Sequence, residues 1–173
     1  MKSYMLRGVL LVLAIMLSVS TLGQTSSPNS STNRVLLTVD GDVDHPLKLS
    51  ADDLKKLPRR SIKAKDHDGK EGLFEGIEVG EILKLAGVKS GEALRGKEMT
   101  LFVVVDAADG YRALLALPET DHSFTDRIIL LSDHRDGKLL DDKEGPLRLV
   151  IPDEKRQGRW VRQVTSLTVR YAR

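Results

Sequence analysis

The sequence predicts an α+β domain in which sheets dominate, with two or three short helices. Short runs rich in leucine and β-branched residues recur along the chain at fairly regular spacing. Asp-Gly pairs at 40–41, 68–69, 109–110 and 136–137 fall between or beside those runs, where tight turns need residues that tolerate unusual backbone angles. Helical apolar spacing is confined to two stretches. No repeat of 20 to 50 residues is visible, and the echo between "DHDGK" and "DHRDGK" reads as two similar hairpin turns.

The elements follow in order. Residues 35–39 form a leucine-rich strand, turned by Asp40-Gly41 and returned through 47–49. Ser50 is placed to cap a short helix with Asp53 three positions on, and Pro58 stops it. Residues 60–65 alternate, with Ile62 and Ala64 on one face, and end at Asp68-Gly69. An extended Leu73-Phe74 leads into the best helix of the chain, carried by Val79, Ile82, Leu83 and Ala86 and closed by Gly87. Strands are then expected at 99–105, 112–117, 128–131, 147–151, 159–164 and 167–171.

The first 23 of the 173 residues have the three parts of a secretory signal: Lys2 and Arg7, an apolar run over 8–19, and small polar residues before Gln24. That run is shorter than the roughly 20 residues a membrane span needs, so cleavage near Gln24 and no stable membrane insertion afterwards are expected. Residues 24–33, rich in Ser, Thr and Asn, read as a disordered linker, and residues 34–173 as one domain. The chain has no cysteine, which excludes disulfides, thiolate metal sites and a lipid-modified anchor. A soluble periplasmic or secreted protein is expected.

Without the leader's two basic residues, 27 Lys plus Arg become 25, against 25 Asp plus Glu. The charge is nevertheless segregated, with eight basic and three acidic residues from Lys143 to Arg173. Seven aromatics and no net charge argue against a nucleic-acid surface.

Three motifs are candidates for chemistry. "DGDVDH" at 40–45 begins like a calcium loop but has His45 where glycine is needed and Ala51 where glutamate is needed, so a solvated turn is favoured. His45, His67, His122 and His134 each adjoin an aspartate, yet none pairs with another at i, i+4, and all fall in expected turns. No metal ligand is assigned. "KEGPLRLVIPDEKRQGRWVRQV" at 143–164 is different: Arg148 and Arg162 sit among apolar residues on two expected strands, around the only tryptophan. A pair of planar guanidinium groups suits two-point capture of phosphate or carboxylate. The competing reading is a solvated sheet face with cross-strand Arg and Asp pairs.

"FEGIEVGEILKLAGV", "DAADGYRALLALPE" and "GPLRLVIPDEKRQGRWVRQV", in this order and spacing, resemble the molybdopterin-binding domain of the sulfite oxidase family. The likeness covers nearly the whole chain after the leader. It implies the mixed α+β fold of that family, with the basic segment where the family holds the phosphate and pterin of its molybdenum cofactor. Arg148 stands at the arginine of the family's Pro-x-Arg motif, Arg162 at a cofactor-binding lysine, Lys143 at a histidine and Gln163 at a tryptophan. Asp109, Gly110 and Tyr111 match a turn bordering the substrate side. The family's molybdenum-ligating cysteine belongs at the end of the strand reading "SIKAKDHD", where this chain has Asp66 and His67 instead. A hard oxygen or an imidazole does not simply replace a soft thiolate. The leader also lacks the Arg-Arg pair that would mark export of a folded, cofactor-loaded protein.

The expectation is therefore an anion pocket without a redox centre. The site residues are Arg148, Arg162, Lys143, Asp109, Tyr111 and His67, with a small anionic ligand or an exported protein as partner and no cofactor, molybdopterin being the one the resemblance would supply. The alternative is a molybdopterin-dependent oxidoreductase with metal coordination that uses no cysteine.

Overall fold

β1 (Val35–Gly41) and β2 (Leu47–Ser50) pair antiparallel, with Val39 opposite Leu47. Gly41 is required there: its φ is 90°, and a Cβ would lie 2.1 Å from the Val169 carbonyl oxygen. At α1 (Ala51–Lys55), the Ser50 hydroxyl accepts the Asp53 N–H and the Asp53 carboxylate accepts the Ser50 N–H, a reciprocal cap on two otherwise unpaired donors. This computed structural model describes residues 34–172, so the signal peptide expected at 1–23 and the linker at 24–33 lie outside the described residues.

β3 (Arg60–Lys65) and β4 (Glu71–Glu78) form a hairpin whose alternation buries Ile62 and Ala64, as the period of two requires. α2 (Val79–Leu85) buries Val79, Ile82 and Leu83. It ends at Gly87 (φ 78°), whose N–H donates to the Lys84 carbonyl 2.9 Å away. The remaining strands are β5 (Leu101–Ala107), β6 (Arg112–Ala116), β7 (Leu130–Arg135), β8 (Lys138–Leu139), β9 (Arg148–Val150) and β10 (Val164–Tyr171).

They make two sheets. One has the order β2-β1-β10-β5-β6, with β1 and β10 parallel; the other has β3-β4-β7-β8, with β9 also paired to β7. Both sheets and both helices feed one core cluster, in which Leu37, Phe74, Ile82, Val105 and Leu130 are fully buried. The architecture is sheet-dominated α+β, with two short α-helices and several 3-10 turns among the described residues.

Three expectations change. Residues 99–100 belong to a 3-10 turn, Gly96–Thr100, and β5 starts after it. The strand expected at 128–131 starts at Leu130 and runs on to Arg135, which puts His134 in a strand instead of a turn. The strand expected at 159–164 is not formed: a 3-10 turn covers Gln157–Arg159, Trp160 is buried, and Gln163 is left-handed at φ 50°. The bonds Leu149 N–H to Val161 O and Val164 N–H to Leu147 O hold this loop to the β9 region without a regular hairpin. A left-handed residue cannot sit in a continuous ladder.

Candidate functional site

The β3–β4 turn is closed by the Asp66 N–H donating to the Lys70 carbonyl at 2.9 Å, and this aims the Asp66 side chain inward, where it is 1% exposed. Arg148 of β9, paired opposite Ser132 of β7, meets it from the neighbouring element. Its Nη1 donates to Asp66 Oδ2 at 2.9 Å and its Nη2 to Oδ1 at 2.8 Å. Arg135 of β7 donates to Oδ2 at 3.0 Å, and the His67 backbone N–H to Oδ1 at 2.7 Å, with His67 Nδ1 2.8 Å from the same oxygen. A carboxylate offers about four acceptor positions, so Asp66 is fully engaged. Glu144 Oε1 lies 2.8 Å from Arg148 Nη1 and adds a second anion.

The aromatic setting fits the same arrangement. Phe74 and Trp160 meet edge to face with centroids 5.8 Å apart, and the Arg148 guanidinium lies 5.5 and 5.3 Å from the two rings. Arg135 lies 5.2 Å from Phe74. Ring faces favour the cations and exclude water, which strengthens the ion pairs. Burial alone would raise the Asp66 pKa; hydrogen bonds from Arg148 and His67 outweigh it and hold the carboxyl well below the usual range. Burial likewise disfavours the Arg148 cation, and Asp66 with Glu144 reverses that.

The other expected residues are placed as follows. Arg162 is 42% exposed, with Nη2 at 3.2 and 3.4 Å from the two His67 ring nitrogens and 4.0 Å from Glu144. His67 is 58% exposed. Asp109 caps its own turn by accepting the Tyr111 N–H at 2.9 Å, and the Tyr111 hydroxyl donates to the Gly158 carbonyl at 2.6 Å. That turn is thus tied to the loop carrying Arg162 and has no hydrogen bond to Arg148. The Lys143 side chain is in no ion pair among the described residues; its backbone N–H donates to Asp141. Further stitches bring the loops together: Gln157 to the Lys65 carbonyl, and Gln163 to the Glu144 and Asp142 carbonyls.

The structure therefore brings together Arg148, His67 and Arg162, but Arg148 is enclosed and only the other two reach solvent. Sequence reasoning missed Arg135 and Glu144. Arg135 follows the apolar run 128–131 in the all-polar stretch Ser132-Asp133-His134-Arg135, which has no alternation to mark it as strand.

No family model matches the chain. The curated "Uncharacterized oxidoreductase YuiH" of Bacillus subtilis (strain 168) is 29% identical over 136 residues, covering 74% of this chain and 63% of that protein. Among solved structures, the sulfane dehydrogenase SoxCD from Paracoccus pantotrophus matches with a TM-score of 0.62 at 18% identity, over 83% of this chain and 39% of that one. The chain shares its fold with the sulfane dehydrogenase structure and is similar in sequence to part of the curated oxidoreductase. It spans less than two thirds of the length of either protein.

Molybdopterin, the cofactor implied by the resemblance, can be tested against these residues. The chain has no thiolate, and Asp66, near the place where one would be needed, has both oxygens committed to guanidinium groups. Among the described residues no cluster of three or more His, Cys, Asp or Glu is arranged to hold a metal. A phosphate could reach the Arg148 fork only by displacing Asp66. The residues present do not fit a molybdenum centre of that family's kind.

Proposed function

We propose that this oxidoreductase-related domain is an exported, soluble binding module that holds a small anion or an acidic group of an exported partner at Arg162 and His67, without a molybdenum redox centre. The observation that supports it most is the Asp66–Arg148 pair: a carboxylate supplied by the chain itself fills the arginine fork that an external anion would otherwise enter. Arg162 keeps its guanidinium half in solvent beside an exposed imidazole, and Glu144 at 4.0 Å only partly offsets it. Anion capture by such a group rests on charge-assisted hydrogen bonds, worth very roughly 1.5 to 3 kcal/mol each when water is partly excluded.

The test is elemental analysis of protein from the exported fraction together with calorimetric titration by pyrophosphate. Protein with an intact fold, no stoichiometric molybdenum, and pyrophosphate binding that weakens about tenfold or more in Arg162→Ala is expected. A molybdenum to protein ratio near one would overturn the reading and establish the second one, a molybdopterin-dependent oxidoreductase with coordination free of cysteine. The fold shared with a sulfane dehydrogenase and the sequence similarity to a curated oxidoreductase are what favour that alternative.

A further inference from the structure

Two distances fix how Arg162 meets His67: its Nη2 lies 3.2 Å from the ring's Nδ1 and 3.4 Å from Nε2. An atom almost equally distant from both nitrogens cannot lie in the ring plane, where it would run into the carbon between them or the two carbons opposite. The guanidinium nitrogen therefore sits over the face of the imidazole, as arginine does on aromatic rings, and uses neither in-plane nitrogen position.

The edge of the ring is set by Asp66. Despite burial, hydrogen bonds from Arg148 and His67 hold that carboxyl well below its usual range, so it is ionised and only accepts. His67 Nδ1, 2.8 Å from Asp66 Oδ1, accordingly carries a hydrogen and donates it. Nε2 is then the ring atom that can gain a proton, and apart from Arg162 over the face it has no hydrogen-bond partner among the described residues.

Arg148 of β9 and Arg135 of β7 draw on the same Asp66 carboxylate, so little of its charge is left to hold a second proton on the ring. Asp136 lies 3.6 Å from Arg135 and is mostly exposed. Glu144 is 4.0 Å from Arg162 but 2.8 Å from Arg148 Nη1, where it is better paired. The ring's own turn adds Lys65 and the Asp68–Lys70 pair, 4.0 Å apart. Arg162, over the face, opposes an imidazolium. An anion resting on Arg162 and the ring edge reverses that balance, because it offsets the cation over the face and gives an Nε2–H an acceptor.

We propose that the Arg162–His67 site takes a dianion together with one proton: one anionic group on the Arg162 guanidinium, the other on the Nε2–H that His67 gains as the ligand binds. This rests on anion binding at Arg162 and His67 and adds the ligand's charge and its pH dependence. By linkage, an anion that favours the protonated ring binds more tightly where the ring is protonated, so affinity rises as pH falls through the ordinary imidazole range.

The experiment is calorimetric titration of the folded protein with ethane-1,2-disulfonate, which stays doubly charged throughout, at pH 8 and pH 5.5. The Kd is expected to be about tenfold lower at pH 5.5, and at pH 6.5 the heat should vary with the buffer's protonation enthalpy as a proton is taken up. Methanesulfonate, with one charge, should gain about threefold or less. His45, His122 and His134 also titrate over this range, so His67→Gln is the control: it can still donate to Asp66 but cannot take up a proton, and it should bind at pH 5.5 as weakly as wild type does at pH 8. In ligand-free Arg162→Ala, NMR of the His67 ring at pH 6.5 should show a larger protonated fraction than in wild type, since no cation then lies over its face. Binding without proton uptake, a pH response that persists in His67→Gln, or equal ring protonation in Arg162→Ala would each overturn the coupling and leave anion binding standing. No binding at either pH would overturn both.

Discussion

Arg148 grips Asp66 with two N–H···O bonds of 2.8 and 2.9 Å at a place where each side chain is 1% exposed, across 82 positions of sequence. Removing one partner of such a pair leaves a buried charge with only partial compensation. Asp66→Ala is expected to cost about 3 to 5 kcal/mol in chemical denaturation. Replacing both partners with apolar residues of similar size, Asp66→Leu with Arg148→Met, should recover part of that loss, because no uncompensated charge then remains in this pair. A double variant as unstable as the sum of its single variants would show the two side chains to be energetically independent.

Acid should expose the same pair. The folded Asp66 pKa is depressed, so its contribution to stability is fully present above the unfolded value near pH 4 and is lost as pH falls toward the folded value. Wild type should therefore exceed Asp66→Asn most clearly at neutral pH, with the gap narrowing below about pH 4. Urea midpoints measured for both proteins from pH 7 to pH 2 check this, and a gap constant with pH would rule out titration of Asp66 as its cause.

Arg162 should behave in the opposite way. It is partly solvated and makes no ion pair shorter than 4.0 Å among the described residues, so Arg162→Ala is expected to change stability by about 0.5 kcal/mol or less. Thermal melts of the variant give the answer directly.

Gly76 marks the point where β4 slips register against β7, and a Cβ there would lie 2.1 Å from the Leu131 carbonyl oxygen. Gly76→Ala cannot be relieved by a side-chain movement, since the obstacle is backbone. It should destabilise the protein by about 3 kcal/mol or more and shift the amide signals of β4 and β7. A melt within one degree of wild type would contradict the β4–β7 pairing described above.

Much of the fold was legible because it is written over a few residues at a time. The Ser50 and Asp53 cap, the burial of Ile62 and Ala64 between exposed neighbours, and the left-handed Gly87 after α2 each follow from local backbone preference and apolar spacing. The strand expected at 159–164 shows where that logic stops. Trp160, Val161 and Val164 are residue types that favour strands, but burial of Trp160, whose indole N–H donates to the Ile151 carbonyl at 2.9 Å, and the left-handed Gln163 turn the chain into a loop. The site was legible only as a list of basic residues. By itself the sequence determined that Arg148 would lie in an apolar strand, that the chain holds no thiolate, and that Asp66 and His67 follow β3. Only the tertiary structure decided that Arg148 is neutralised from within while Arg162 faces solvent. An arginine in a strand is solvated or paired according to which distant carboxylate the sheet register delivers beside it, and no spacing within the strand encodes that partner.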